Sequence, residues 1–187
     1  HINWLVKSHP NDVKNKVITS TEKEVLKLSK NFKNINLFPI DFGNNSLPEI
    51  ISTAVTADGS VGYEYPSMGI PSITCSESLY SNRGFNHEAS SIEEYKNLLK
   101  NADKLKPLSE EQINKAKTFV YIYSVLAKVY SPLVPIEKIN GNTDDTFWKN
   151  LDILLTNYTP ENDDFYKNLK LQIEKSDRHT INYNYLK

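Results

Sequence analysis

The sequence predicts an α/β domain built on a doubly wound parallel sheet, followed by additional helices. Three observations predict it. Short apolar, β-prone runs at residues 2–6, 35–38, 52–57 and 70–75 alternate with capped helical stretches. The run 52–57 passes through Asp58-Gly59 into a short helix and then a further strand, a strand–turn–helix–strand series of the βαβ kind. Beyond residue 131 the pattern is helical only.

Ile2 to Val6 with Trp4 opens the chain as a strand, and Lys7-Ser8-His9-Pro10 follows at its carboxyl end. Pro10 pushes His9 into extended geometry, so the strand ends in a fixed turn. Ser20 or Thr21 caps the first helix, with Glu24 completing a box from Thr21 and Val25, Leu28 and Phe32 as its inward stripe. Ile35 to Phe38 is the second strand, closed by Pro39. A loop at 41–45 leads into a brief helix opened by Ser46-Leu47-Pro48-Glu49.

After the third strand, Gly59 or Ser60 caps a short helix that stops at Gly69 and Pro71. Such a turn leaves backbone N–H groups of Gly59, Ser60, Val61 and Gly62 at the carboxyl edge of a sheet, where a phosphate binds without a basic side chain. The same turn also occurs in α/β proteins that bind no anion. A capping box would place Glu at position 63, where Tyr63 stands. Glu64 is therefore either a ligand for a sugar hydroxyl or a first-turn acid favoured by the helix dipole. If the strands are parallel, Lys7 and His9 project from that edge too, as a cation and an imidazole donor suited to a phosphate leaving group.

Cys75 ends the fourth strand and reads as a small core residue. Residues 76–90 form a loop on the ligand edge, carrying Tyr80, Arg83, Gly84, Phe85 and His87. Arg83 reads either as an anion partner or as a solvated surface cation. Ser91-Ile92-Glu93-Glu94 caps a helix through Ala102. Lys106-Pro107 breaks the chain, and a long helix runs from Ser109 to about Tyr130 with Ile113, Ala116, Phe119, Val120, Tyr123, Leu126 and Ala127 inward. Residues 131–142 read as a linker. Thr143 or Asp144 caps a helix with Phe147, Leu151, Leu154 and Leu155, and Thr159-Pro160 starts another with Phe165, Leu169 and Ile173. The polar tail after Ser176 reads as loosely ordered. Two regions result: 1–130, the α/β domain, and 131–187, a helical extension packed on it.

Composition narrows the function. With 22 basic and 23 acidic residues the net charge is -1, which provides no broad positive field for nucleic acid. A single cysteine excludes an intrachain disulfide and a zinc knuckle, and fits a reducing cytoplasm. No apolar run approaches the roughly 20 residues of a membrane helix. No signal-peptide pattern is present, and an opening on His1 without Met suggests sequence missing upstream. Asp144-Asp145 and Asp163-Asp164 read as helix-start acids, not as a strand-end metal motif, so no metal is expected. The Gly-Ser-Val-Gly run is not a dinucleotide fingerprint.

These residues combine into a pattern. A strand ending Lys7-Ser8-His9-Pro10 precedes a strand ending Gly59-Ser60-Val61-Gly62-Tyr63-Glu64, then Gly69-Ile70-Pro71-Ser72-Ile73, Tyr80, Gly84-Phe85 and the helix start Ser91-Ile92-Glu93-Glu94-Tyr95. This order resembles the C-terminal, donor-binding half of a GT-B glycosyltransferase, over residues 1 to about 130. It is most similar to bacterial capsule and surface-polysaccharide enzymes, including Kdo transferases, and more loosely to sialyltransferases with a His-Pro motif.

The resemblance implies a Rossmann-like nucleotide-sugar-binding domain. His9 and Ser60 would hold the donor phosphate, supported by Lys7, Gly59, Val61 and Gly62, with Glu64 and Arg83 at the donor sugar or ribose. Tyr63 departs from the smaller or aliphatic residue usual there, and Pro66 falls early in the helix. The donor would be a CMP- or UDP-linked sugar, with no cofactor required. A glycan or lipid-linked acceptor, and the catalytic base, would belong to an N-terminal half not in this chain. The expected setting is the cytoplasm, with peripheral contact to the inner membrane. Alternatives are a sugar or polyol phosphotransferase, a sugar-nucleotide epimerase using Glu64 with Glu77, or a non-catalytic binding domain.

Overall fold

Parallel strands separated by helices form the first part of the chain, as a computed structural model shows for residues 2–9, 20–39, 42–129, 131, 145–176, 178, 181–182 and 185. The chain divides into two compact units, His1–Lys117 and Thr118–Lys187.

In the first unit, β1 (Trp4–Val6) pairs in parallel with β2 (Ile35–Leu37), Trp4 opposite Ile35 and Val6 opposite Leu37. The Asn34 side-chain amide donates to the Ile2 carbonyl at 2.9 Å and fixes that register. Helix α1 (Thr21–Ser29) lies between the two strands in sequence and packs on β2. Its cap is Ser20, whose Oγ accepts from the Lys23 amide at 3.3 Å. That choice puts Lys23 where the expected box needed an acid, so no Thr21–Glu24 box forms. Of the expected inward stripe only Val25 is buried; Leu28 and Phe32 are 41% and 51% exposed. A sheet two strands wide covers one helix residue well and leaves the flanks of a wider stripe in solvent.

The brief helix before β3 is a 3-10 turn, Asn44–Glu49, starting after Gly43 and not at Ser46. Pro48 inside it has no amide to give to an α-ladder. β3 (Ala54–Thr56), β4 (Ser72–Thr74) and β5 (His87–Glu88) make a parallel three-stranded sheet in that order, with helix α2 (Val61–Ser67) crossing from β3 to β4. Strands β1 to β4 are each shorter than the apolar run that announced them. β5 lies in the stretch expected as loop. Neither His87 nor Glu88 is β-prone, and only pairing with Ile73 and Thr74 makes them a strand. Central β4 is fully buried, with Ser72 and Ile73 at 0% exposure.

The described strands thus form two small parallel sheets, where the sequence predicted one doubly wound sheet. Parallel strands joined through helices are compatible with a Rossmann-like layer. The hydrogen-bonded ladders that would make one layer of them are not among the described pairings.

Helix α3 (Ile92–Lys100) is capped by Ser91, whose Oγ accepts from the Glu94 amide at 3.1 Å. The Glu94 carboxylate reaches one residue further back than expected, accepting from the amide and hydroxyl of Ser90 at 2.8 and 2.6 Å. Those two bonds hold its carboxyl below the usual range. The helix stops at Lys100, and Ala102–Lys104 is a separate 3-10 turn. Helix α4 (Glu110–Tyr121) buries Ala116 and then widens into a π-turn, Ile122–Leu126, instead of running on as an α-helix to Tyr130.

The second unit contains that π-turn, α5 (Asp145–Thr156) and α6 (Asp164–Lys175). The expected caps Thr143 and Asp144, and the linker except Ser131, lie outside the described residues. Thr159-Pro160 opens only a 3-10 turn, Pro160–Asn162; the long helix takes a second cap, Asp163. Several residues expected inward are exposed, Leu155 at 51% and Ile173 at 71% among them. From the tail, the Asn182 amide donates to the Leu126 carbonyl at 2.7 Å and satisfies one end of the π-turn. Among the described residues, no helix is long and apolar enough to cross a membrane.

Candidate functional site

The turn between β3 and α2 is closed by its own backbone. Thr56 Oγ1 accepts from the Gly59 amide at 3.0 Å, and the Gly62 amide donates to the Gly59 carbonyl at 2.9 Å. The Tyr63 and Glu64 amides both donate to the Ser60 carbonyl. Ser60 is already helical, at φ -58° and ψ -26°, and its side chain makes no capping bond. Two of the four amides expected to face an anion are therefore used inside the turn. Among the described residues nothing accepts from the amides of Ser60 and Val61, which sit at the carboxyl end of β3.

The turn is held from the side by Tyr80, which is 2% exposed and donates its hydroxyl to the Gly59 carbonyl at 3.0 Å. Burial pushes its phenol above the ordinary range, so it remains a donor at neutral pH. Its ring lies on Gly62, where a Cβ would come within 2.5 Å of Cζ and 2.7 Å of Cε2. A Cβ at Gly59 would meet Thr56 Oγ1 at 2.7 Å. Both glycines thus have a reason internal to the fold: one admits the Tyr80 ring and the other the Thr56 hydroxyl. Tyr63 has a role as well, meeting the Tyr80 ring edge-to-face at 5.7 Å between centroids. Pro66 is buried in the last turn of α2, and Gly69, at φ +89°, ends the helix in a conformation suited to glycine.

Arg83 is exposed on a tight turn between Asn82 and Gly84, which have φ of 60° and 80°. Both Glu88 oxygens accept from the Asn82 amide, at 2.8 and 2.9 Å, and Gln112 Nε2 donates to the Gly84 carbonyl at 3.3 Å. Beneath it Phe85 is 1% exposed. Burial lowers the imidazole pKa of His87 on β5, which favours its neutral form.

Lys7 and His9 follow β1, in the two-stranded sheet. The Lys7 ammonium donates to the Phe42 carbonyl and lies 5.5 Å from the Phe38 ring centroid, so it serves the loop after β2. His9 is exposed at the carboxyl end of β1. The structure therefore gathers Gly59 to Glu64 on one turn with Tyr80, sets Lys7 and His9 at the end of another sheet, and carries Arg83 on a third segment. Tyr80 was visible in the sequence only as one aromatic residue of a loop; no local signal marks a contact made 21 residues away. Cys75 is exposed, not in the core as expected, because β4 ends at Thr74. The Tyr95 phenol beside it is pushed up by burial first and then by the Cys75 thiol.

Among the described residues no three His, Cys, Asp or Glu side chains gather to hold a metal ion. Comparison with models of known families, with curated proteins and with solved structures finds no match for this chain.

Proposed function

We propose that the chain is the donor-binding part of a GT-B-type glycosyltransferase that uses a nucleotide-activated sugar in bacterial capsule or surface-polysaccharide synthesis. One observation supports the reading: two amides, Ser60 and Val61, that have no acceptor among the described residues, at the carboxyl end of a parallel strand, on a turn that Tyr80 holds from the side. Fixed N–H dipoles of this kind stabilise charge that develops on a departing phosphate. As the bond from the sugar's anomeric carbon to the phosphate oxygen breaks, the two amides would take up the oxygen's charge. His9 would donate to the same group and Glu64 would accept from a sugar hydroxyl. Donors linked to CMP or UDP fit this chemistry, with a glycan or lipid-linked acceptor and its base supplied by another domain, at the cytoplasmic face of the membrane.

The direct test is Ser60→Pro. Proline suits φ -58° and removes an amide that the fold does not use. The variant is expected to keep or slightly raise thermal stability, by up to about 1 kcal/mol, while losing CMP and UDP binding in isothermal titration. A wild-type chain that binds neither nucleotide at millimolar concentration overturns the proposal. A second reading, a non-catalytic interaction domain, is favoured by one feature: Tyr80 and Thr56 already account for both glycines of the turn. Absence of nucleotide binding by the wild-type chain would support it, whereas undiminished binding by Ser60→Pro would remove the Ser60 amide from the phosphate site.

A further inference from the structure

We infer that the outer face of α1, with the turn that follows it, is a contact surface for a membrane carrying anionic phospholipid, an inference that rests on the membrane setting proposed above. Lys23, Lys27, Lys30 and Lys33 are all exposed on this stretch. The first three are spaced i, i+4 and i+7, which sets them on one helix face. The buried Val25 lies on the opposite face, packed toward β2. Glu22 and Glu24 stand one residue to either side of Lys23 and so fall on the flanks of the lysine face. Among the described residues no carboxylate pairs with any of the four ammonium groups. The helix dipole accounts for Lys27 and Lys30, in the last turn and at the cap, but disfavours Lys23 in the first turn. Residues 20–34 hold four lysines against two glutamates, a local +2 on a chain of net charge -1. Exposed apolar side chains lie among these charges. Leu26 neighbours both Lys23, at i-3, and Lys30, at i+4. The Phe32 amide donates to the Leu28 carbonyl at 2.9 Å, which keeps exposed Phe32 beside exposed Leu28 at the end of the helix. A polyacid answers the lysines alone; Leu26, Leu28 and Phe32 need an apolar layer beside the negative charge. A bilayer interface supplies both, phosphates for the ammonium groups and an acyl boundary for the apolar tips.

Co-sedimentation of the whole chain with lipid vesicles tests the inference. At about 0.1 M salt, vesicles of equal parts phosphatidylcholine and phosphatidylglycerol are expected to retain the chain, and phosphatidylcholine alone is not. The combined variant Lys23→Gln, Lys27→Gln, Lys30→Gln is expected to bind about a hundredfold more weakly, at about fivefold per lysine. Leu26→Ser with Phe32→Ser is expected to lose about tenfold. The same charge change elsewhere, Lys96→Gln, Lys100→Gln and Lys106→Gln, is expected to leave binding nearly unchanged. Every position changed is exposed, so the variants should keep the wild-type far-UV circular dichroism. A chain that ignores the mixed vesicles, or an α1 lysine variant that binds no more weakly than the control, overturns the surface. Retention on poly-glutamate as strong as on the vesicles, with no loss in the Leu26→Ser, Phe32→Ser variant, overturns the lipid and assigns the face to an acidic protein. Failure on vesicles by a chain that still binds CMP or UDP leaves the donor-site reading standing. Vesicle binding by a chain that binds neither nucleotide upholds the surface and overturns that reading instead.

Discussion

Gly62→Ala is expected to destabilise the first unit by about 2–3 kcal/mol, against the helix-propensity gain of up to about 1 kcal/mol that the same change brings at an open helical site. The new methyl would stand 2.5 Å from Tyr80 Cζ, well inside the roughly 3.5–4.0 Å of a carbon–carbon contact. Tyr80 is 2% exposed, so the ring has no free space to retreat into, and a retreat would break its bond to the Gly59 carbonyl. Losing that bond accounts for about 1 kcal/mol and overpacking for the rest. Urea unfolding, with hydrogen exchange at β3 and β4 to localise the change, measures it. In a Tyr80→Leu background, which lacks Cε2, Cζ and the hydroxyl, Gly62→Ala should become neutral or mildly stabilising. Equal destabilisation in both backgrounds would show that the glycine is required for something other than this ring.

The second large effect belongs to Asp163. Its carboxylate is 1% exposed and accepts from Ser131 Oγ and Tyr158 Oη, each at 2.9 Å, and from the amides of Phe165 and Tyr166 at 2.8 and 3.4 Å. It caps α6 and also ties Ser131 and Tyr158 to the helix start. Burial alone pushes this carboxyl up; the two hydroxyl donors and two amide donors outweigh it and hold it below the ordinary range. Asp163→Ala removes the cap and the four hydrogen bonds that the carboxylate accepts, with an expected loss of about 2–4 kcal/mol in the second unit. Asp163→Asn, which keeps one acceptor oxygen, should lose less.

The sign of the pH dependence follows from the depressed folded-state value. The stabilisation is complete above the unfolded carboxyl pKa, about 3.9, and is lost as pH falls from there through the lower folded value. Hydrogen exchange of α6 amides at pH 6 and below pH 4 should show this loss in the wild type. Asp163→Asn should lack the part of the slope that Asp163 contributes. A wild-type slope carried over intact into the variant would assign the acid sensitivity to other carboxylates.

Most features legible in the sequence act over three or four residues. Ser20 and Ser91 cap helices where serine precedes a helical stretch, and Gly69 ends α2 where glycine precedes proline. The strand–turn–helix–strand series from β3 to β4 was readable for the same reason: β-prone runs, an Asp-Gly turn and a helix stop are local signals. Even there, details moved by one residue, as when the Glu94 carboxylate accepted from Ser90 and not from the Ser91 amide.

What escaped the sequence depends on contacts between distant segments. β5 exists because β4 offers it an edge, not because His87 and Glu88 favour extension. Tyr80 reaches Gly59 across 21 residues, Lys7 reaches Phe42 across 35, and Ser131 reaches Asp163 across 32. The candidate site divides along the same line. That residues 59–64 form a turn at a strand end was written in the chain itself. That Gly62 yields its space to Tyr80, that no described residue accepts from the Ser60 and Val61 amides, and that Lys7 serves Phe42 followed only from packing. A residue's local preference sets its backbone geometry, but which polar groups remain unpaired is fixed by neighbours far along the chain.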